Sequence, residues 1–296
     1  MITRSMLFAP GDKPAMLRKS LQAGADAVIW DLEDAVAPSA KGDARLALGD
    51  ALQSLPTQHV PIVVRINALP ANMLDDDLAP IVRSDLHAVL LPKAERAEDI
   101  RHLDQALDRL ERGAGLPDRA IQIHCLIETC AGVVNACSIA TASPRIQALC
   151  FGAEDFTLDL GVARTREGLE LAHARGAVAL AAGAARLVAV DTVYADLADT
   201  QGLVHECRLA RQVGFRGKLA IHPKQVEIIN REFEPSEAEV AYARRVVAAF
   251  AEAEERQLGV TMLDGRMIDA PIVARAKLIL RSVKTPVDAD VRVDRR

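Results

Sequence analysis

Eight short apolar runs, most of them β-branched, recur along the chain, and each is followed by a polar turn and a stretch of helical period. They are SMLFA (5–9), AVIWD (27–31), IVVRI (62–66), AVLLP (88–92), IHCLIE (123–128), ALCFG (148–152), RLVAV (186–190) and KLAIH (218–222). Between them lie helix-like stretches such as KPAMLRKSLQAG, EDIRHLDQALDRLERG and GLELAHARGAVALAAG, several closing in glycine as helix C-termini often do. If each helix crosses back over the sheet, the strands are parallel. Eight consecutive βα units with no doubling of the pattern favour a closed (β/α)8 TIM barrel over a doubly wound sheet.

No linker or low-complexity segment interrupts the pattern before residue 230. Beyond it the chain changes character. PSEAEVAYARRVVAAFAEAEERQLG (235–259) opens with Ser236 as N-cap and a glutamate at N3, then runs as a long alanine-rich helix. TMLDGRMIDAPIVARAKLILRSV (261–283) reads as a turn and a further helix. The expected division is a barrel catalytic domain over 1–230 and a C-terminal helical extension, or lid, over 231–296.

The 296 residues, half of them hydrophobic, suffice for a sizeable core. A net charge of −5 and only 3% aromatics argue against nucleic-acid binding. The opening MITRSMLFAPGDK lacks the apolar region of a signal peptide, and no apolar run reaches the ~18 residues of a membrane span, so the expectation is a soluble cytoplasmic protein. Five cysteines without a CxxC pair point to reduced, mostly buried thiols.

Polar residues fall at or just past the strands' C-terminal ends: Asp31 and Glu33, Arg65 and Asn67, Lys93, Glu128, Glu154 and Asp155, Asp191, His222. In a barrel these ends share one mouth, where the active sites of this fold lie. Glu128 and Asp155 emerge from apolar strands in adjacent units and could grip one hard divalent cation, Mg²⁺ or alternatively Mn²⁺. No HxH, HExxH or CxxC grouping suggests zinc. Arg65, inside VVRIN, suits an enolate or carboxylate oxygen, and equally a structural ion pair with Asp31 or Glu33. Asp34 is expected to cap the turn that follows. His222 reads either as a base or as a helix cap. Lys13, Arg18 and Lys19 are basic residues near the mouth.

The segments RSMLFAPGDKPAMLRKSLQAGADAVIWDLEDAVAP, VRIN, LPKAE, IETCAGVVNA, FGAEDFTLDLG and GKLAIHPKQVEIIN, in this order, resemble the HpcH/HpaI aldolase and citrate lyase β-subunit superfamily, closest to its CitE-like acyl-CoA lyase branch. The resemblance implies a TIM barrel, usually a trimer or dimer of trimers, with Mg²⁺ on the residues matching Glu128 and Asp155. It implies that Arg65 polarises the thioester or enolate oxygen, that GRMID belongs to a mobile lid, and that Asp269 is a proton donor or acceptor reaching a neighbouring subunit. Asp31 and Glu33 would orient these cations, and Lys13, Arg18 and Lys19 would be the contacts to CoA. The activity implied is cleavage of a short 3-hydroxyacyl-CoA, citramalyl-CoA or malyl-CoA, to acetyl-CoA and a 2-oxo acid. The alternatives are a citrate lyase β subunit working with an acyl carrier protein, a CoA-independent pyruvate aldolase, and a non-catalytic barrel that binds CoA or a carrier.

Overall fold

The structure, a computed structural model, describes residues 3–55 and 60–282. It divides into two units, Met1–Phe233 and Glu234–Arg296. In the first, eight strands form a closed barrel in chain order: β1 Ser5–Pro10, β2 Ala27–Asp31, β3 Ile62–Arg65, β4 Ala88–Leu91, β5 Gln122–Ile127, β6 Ile146–Phe151, β7 Val188–Asp191 and β8 Gly217–Ala220. Every adjacent pair is parallel, and β1 closes on β8 through Ser5 opposite Lys218. All eight expected strands are present.

Both faces of each strand are buried, which is why each reads as a continuous apolar run. Inward-facing Met6, Ile29, Val63, Leu90, Leu126, Cys150, Val190 and Leu219 fill the barrel. Their outward neighbours, such as Leu7, Trp30, Val64, Leu91, Ile127 and Phe151, pack under the helices. The helix Ala97–Ala114 runs past Gly113, the expected stop, and ends at Gly115, and the helix Ala153–Leu160 ends at Gly161, both closing glycines left-handed as a C-terminal glycine permits. The glycine-stop reading fails for the helix Ala172–Ala185, which runs past Gly183 and turns at Arg186, φ +59°. Leu187, packed on the core, fixes the turn there, and its N–H closes on the Ala182 carbonyl.

The second unit opens with the helix Glu237–Glu255, whose N-terminus carries the expected reciprocal Ser236 and Glu239 capping box. The segment expected to be a turn is instead a hairpin, β9 Thr261–Leu263 and β10 Arg266–Ile268, closed by Asp264 and Gly265, both at positive φ. A helix, Ala270–Ser282, follows. Phe250, Val246, Ile268 and Val273 make this unit's own small core. Residues 283–296 of the expected extension lie outside the described residues. No helix among the described residues is long and apolar enough to cross a membrane.

Candidate active site

A cavity of about 680 Å³ opens at the strands' C-terminal ends, lined by Asp31, Asp34, Arg65, Glu128, Glu154, Asp155 and His222 among its polar residues. Phe8, Met16, Leu126, Val193, Leu219 and Ile221 supply an apolar wall.

Asp31 ends β2 and is 1% exposed. Arg65 ends β3 directly opposite it in register. The guanidinium grips the carboxylate two-fold, Nε donating to Oδ1 at 2.7 Å and Nη2 to Oδ2 at 2.6 Å. The same oxygens accept from the backbone N–H groups of Glu33 (2.9 Å) and Ala35 (3.1 Å), so Asp31 caps the turn. That corrects the expected role of Asp34, which is 63% exposed at its side chain and instead accepts from Arg65 Nη1 at 3.3 Å. Nη1 also lies 2.9 Å from Glu33 Oε2, an ion pair without hydrogen-bond alignment. Burial disfavours the guanidinium charge, but Asp31, Glu33 and Asp34 more than offset it and hold its pKa above the ordinary arginine value. Phe8 lies beneath, its ring centroid 5.0 Å from the guanidinium carbon.

Beside this pair sits Lys93, just past β4, with φ +49°. Its ammonium lies 2.8 Å from Glu33 Oε1, 2.9 Å from Asp155 Oδ2 and 3.9 Å from Glu128 Oε1, and its backbone N–H donates to Glu128 Oε1 at 2.9 Å. Glu128, directly after β5, is buried. Burial first, and the Glu33 charge second, push its carboxyl up to about 8, with Lys93 and Arg65 opposing. Burial likewise raises Glu33 against Arg65 and Lys93. Gly152, after β6, packs against Glu128 so closely that an added Cβ would lie 2.6 Å from Oε2. Thr192, after β7, accepts from the Ala153 N–H at 2.9 Å and fixes the start of the helix that carries Asp155.

Glu128 and Asp155 therefore each place an oxygen within 4 Å of one cationic group. Two oxygen donors, one of them a buried carboxyl group whose charge burial disfavours and a cation favours, fit a hard divalent ion that retains water and substrate ligands. No cluster of three or more His, Cys, Asp or Glu side chains among the described residues suits a closed metal site.

Two other residues expected at the mouth point elsewhere. Asn67 turns away, its Nδ2 donating to Asp77 at 2.8 Å. Asp191 also faces outward, held by Arg175 (2.9 and 3.1 Å) and Lys218 (2.9 Å) under the helices. Neither belongs to the mouth. His222 lines the cavity while its Nδ1 accepts the Lys224 N–H at 3.1 Å, so the helix-cap reading describes it. Glu154 pairs with Arg164. Lys13 is exposed and paired with Asp12 at 3.0 Å, and Arg18 and Lys19 lie exposed in the last turn of the helix Pro14–Ser20. None of the three lines the cavity, to which that helix contributes Met16 and Ser20. Asp269, in the second unit, caps the helix Ala270–Ser282, its Oδ1 accepting from the Ile272 N–H at 3.2 Å. Sequence reasoning missed Lys41, whose ammonium donates to the Leu32 and Glu33 carbonyls, both at 2.7 Å, and secures the acidic turn. It also missed the packing role of Gly152.

A parallel eight-stranded barrel with a carboxylate nest at its C-terminal mouth defines a TIM-barrel enzyme, and residues 4–223 match the model of one such group. The chain belongs to the HpcH/HpaI aldolase/citrate lyase family, a family of lyases. It is 39% identical over 286 residues to the citrate lyase subunit beta of Haemophilus influenzae, covering 97% of this chain and 98% of that one. It is 36% identical over 277 residues to a (3S)-malyl-CoA thioesterase of Cereibacter sphaeroides, covering 94% and 93%. Among solved structures, the protein CitE of Mycobacterium tuberculosis, determined with magnesium, acetoacetate and coenzyme A, is similar with a TM-score of 0.76 and 34% identity over 95% of this chain and 98% of that one.

Proposed function

We propose that the protein is a Mg²⁺-dependent carbon–carbon lyase that cleaves a short 3-hydroxyacyl-CoA, of the citramalyl-CoA or malyl-CoA type, to acetyl-CoA and a 2-oxo acid. The observation that carries the reading is the junction of Glu128 and Asp155 with the Arg65–Asp31 pair on an apolar-walled cavity. The solved relative with magnesium and coenzyme A supports both the ion and the thioester.

The hydroxyl loses its proton, the bond between the second and third carbons breaks, and the hydroxyl carbon becomes the carbonyl of the 2-oxo acid. The bonding electrons pass to the thioester enolate, which takes one proton at carbon. Held by Glu128 and Asp155, Mg²⁺ would supply Lewis-acid stabilisation of the oxygen that becomes a carbonyl. Arg65, fixed by Asp31, offers a preorganised N–H donor to the enolate oxygen without reorganising during the reaction. Phe8 and Leu126 keep that end of the cavity apolar, which strengthens such a contact. Asp269 is the proposed acid for the enolate carbon. The proposed division of labour places the metal ligands, Arg65 and the cavity in residues 1–230 and gives 231–296 a lid that brings Asp269 to a neighbouring subunit, in a cytoplasmic homotrimer or dimer of trimers.

The test is acetyl-CoA release from malyl-CoA, citramalyl-CoA and citryl-CoA with Mg²⁺, beside Asp155→Ala and an EDTA control. Turnover of one thioester, lost in both controls, supports the reading. A second reading, a citrate lyase β subunit acting on a carrier-bound citryl thioester, is favoured by the near full-length likeness to that subunit. Turnover only when an acyl carrier protein presents the substrate would select it.

A further inference from the structure

Among the described residues Lys93 joins Glu33, Glu128 and Asp155, and its placement is costly. It holds a left-handed backbone, φ +49°, which a lysine rarely adopts, and that conformation lets its N–H reach Glu128 while its ammonium reaches Glu33 and Asp155. Arg65 cannot take over this work: Nε and Nη2 grip Asp31 and Nη1 lies between Glu33 and Asp34, which leaves only the second Nη2 N–H, the one offered to the substrate oxygen. The ammonium thus stands 2.9 Å from Asp155 Oδ2 and 3.9 Å from Glu128 Oε1, the two carboxylates assigned to the metal.

We propose that Lys93 is a tethered counter-cation that occupies the divalent-ion position in the metal-free protein and must leave Asp155 when the ion enters. The inference rests on the metal reading above. A divalent ion bonded to Asp155 at about 2.0–2.1 Å and an ammonium on the same oxygen would repel at contact distance. Lysine suits the exchange: its stem is flexible, its side chain is 36% exposed, and Glu33 remains as a second anchor once Asp155 is given up. Lys93 is then a positioning residue. It keeps the acids from repelling one another before the ion arrives, and it lowers the ion's affinity by competing for them.

The test is calorimetric titration of Mg²⁺ and of Mn²⁺, each alone, into the wild-type chain and into Lys93→Met, Lys93→Asn and Lys93→Arg, with melting curves as a check on folding. Asparagine tolerates the left-handed backbone and covers the case in which methionine does not fold. Removing a unit charge at this range should tighten both ions by about tenfold or more in the Met and Asn variants. The arginine variant, which keeps the charge, should stay within about threefold of wild type. Ion binding by a neutral variant alone would also support the proposal. Equal or weaker binding by a neutral variant, with wild type binding normally, overturns it and leaves the metal reading intact. Binding by neither overturns both.

Discussion

Gly152→Ala perturbs the geometry of Glu128 without replacing a charged residue. The backbone at Gly152, φ −111° and ψ 99°, is open to any amino acid, so the effect is purely steric. An added methyl would lie 2.6 Å from Glu128 Oε2 and 2.7 Å from its Cβ, where ordinary contact begins near 3.4 Å. The glutamate must therefore yield by about 0.7–0.8 Å, or the loop after β6 must move with Asp155 on it. Glu128 is 4% exposed, and the cavity it lines is the space into which it can yield. Overpacking of this kind costs about 1–3 kcal/mol of stability, and a carboxylate displaced by about 1 Å can cost roughly a hundredfold in rate. The expected result is a folded variant with a urea midpoint below wild type, Mg²⁺ affinity reduced about tenfold or more, and kcat/KM down about a hundredfold. Wild-type affinity and turnover in a folded Gly152→Ala protein would refute the assignment of Glu128 as a metal ligand.

Two further effects should be measurable. Arg65→Met leaves the Asp31 carboxylate, 1% exposed, without its partner, and should cost about 3–5 kcal/mol in urea unfolding; Arg65→Lys should recover part of the stability but little activity, because an ammonium cannot make the two-fold contact, and wild-type activity in the lysine variant would count against Arg65 as the oxygen donor. His124, on β5 at the far end of the barrel, has its pKa lowered to about 3 by burial and by neighbouring His87, so it stays neutral in the folded chain while the unfolded chain protonates near 6.5. The unfolded state then binds the extra proton between those values and stability falls as pH drops through the window, by about 2 kcal/mol from pH 7 to pH 5. Comparing urea midpoints of wild type and His124→Gln at both pH values should show that much less loss in the variant; an identical loss would show that His124 does not carry it.

The barrel was legible because each strand is buried on both faces, so apolar runs announced it and their number gave closure. The same double burial erased the parity of each run. RLVAV does not say which way the acid after it points, and this is why Asp191 was expected at the mouth when it binds Arg175 and Lys218; Asn67 shares the parity of Arg65 but lies past the end of β3, where the chain has left the strand and the amide turns to Asp77. Arg65 was recoverable, since a cation among apolar neighbours demands an acid, although its three acidic partners belong to contacts 31 to 34 residues distant. The Asp264–Gly265 signal for a hairpin was present in MLDGRM and was outweighed by the helical period on either side. Lys41 left no signal, because what it binds are carbonyls.

The acid cluster in WDLEDAV has a physical resolution in this arrangement. Asp31 is neutralised in the plane of Arg65 and tied to the turn, Lys41 clamps the turn from behind, and Glu33 is left to face Lys93. The acids near the mouth thus divide between two cations with Glu33 shared, and the cations are fixed to different degrees: Arg65 by a buried fork, Lys93 by a mobile stem. A site built this way keeps one positive group stationary for the charge that develops during cleavage and leaves the other free to yield its place. Rigidity at Arg65 and compliance at Lys93 are separable demands, and a fork and a flexible ammonium answer them in turn.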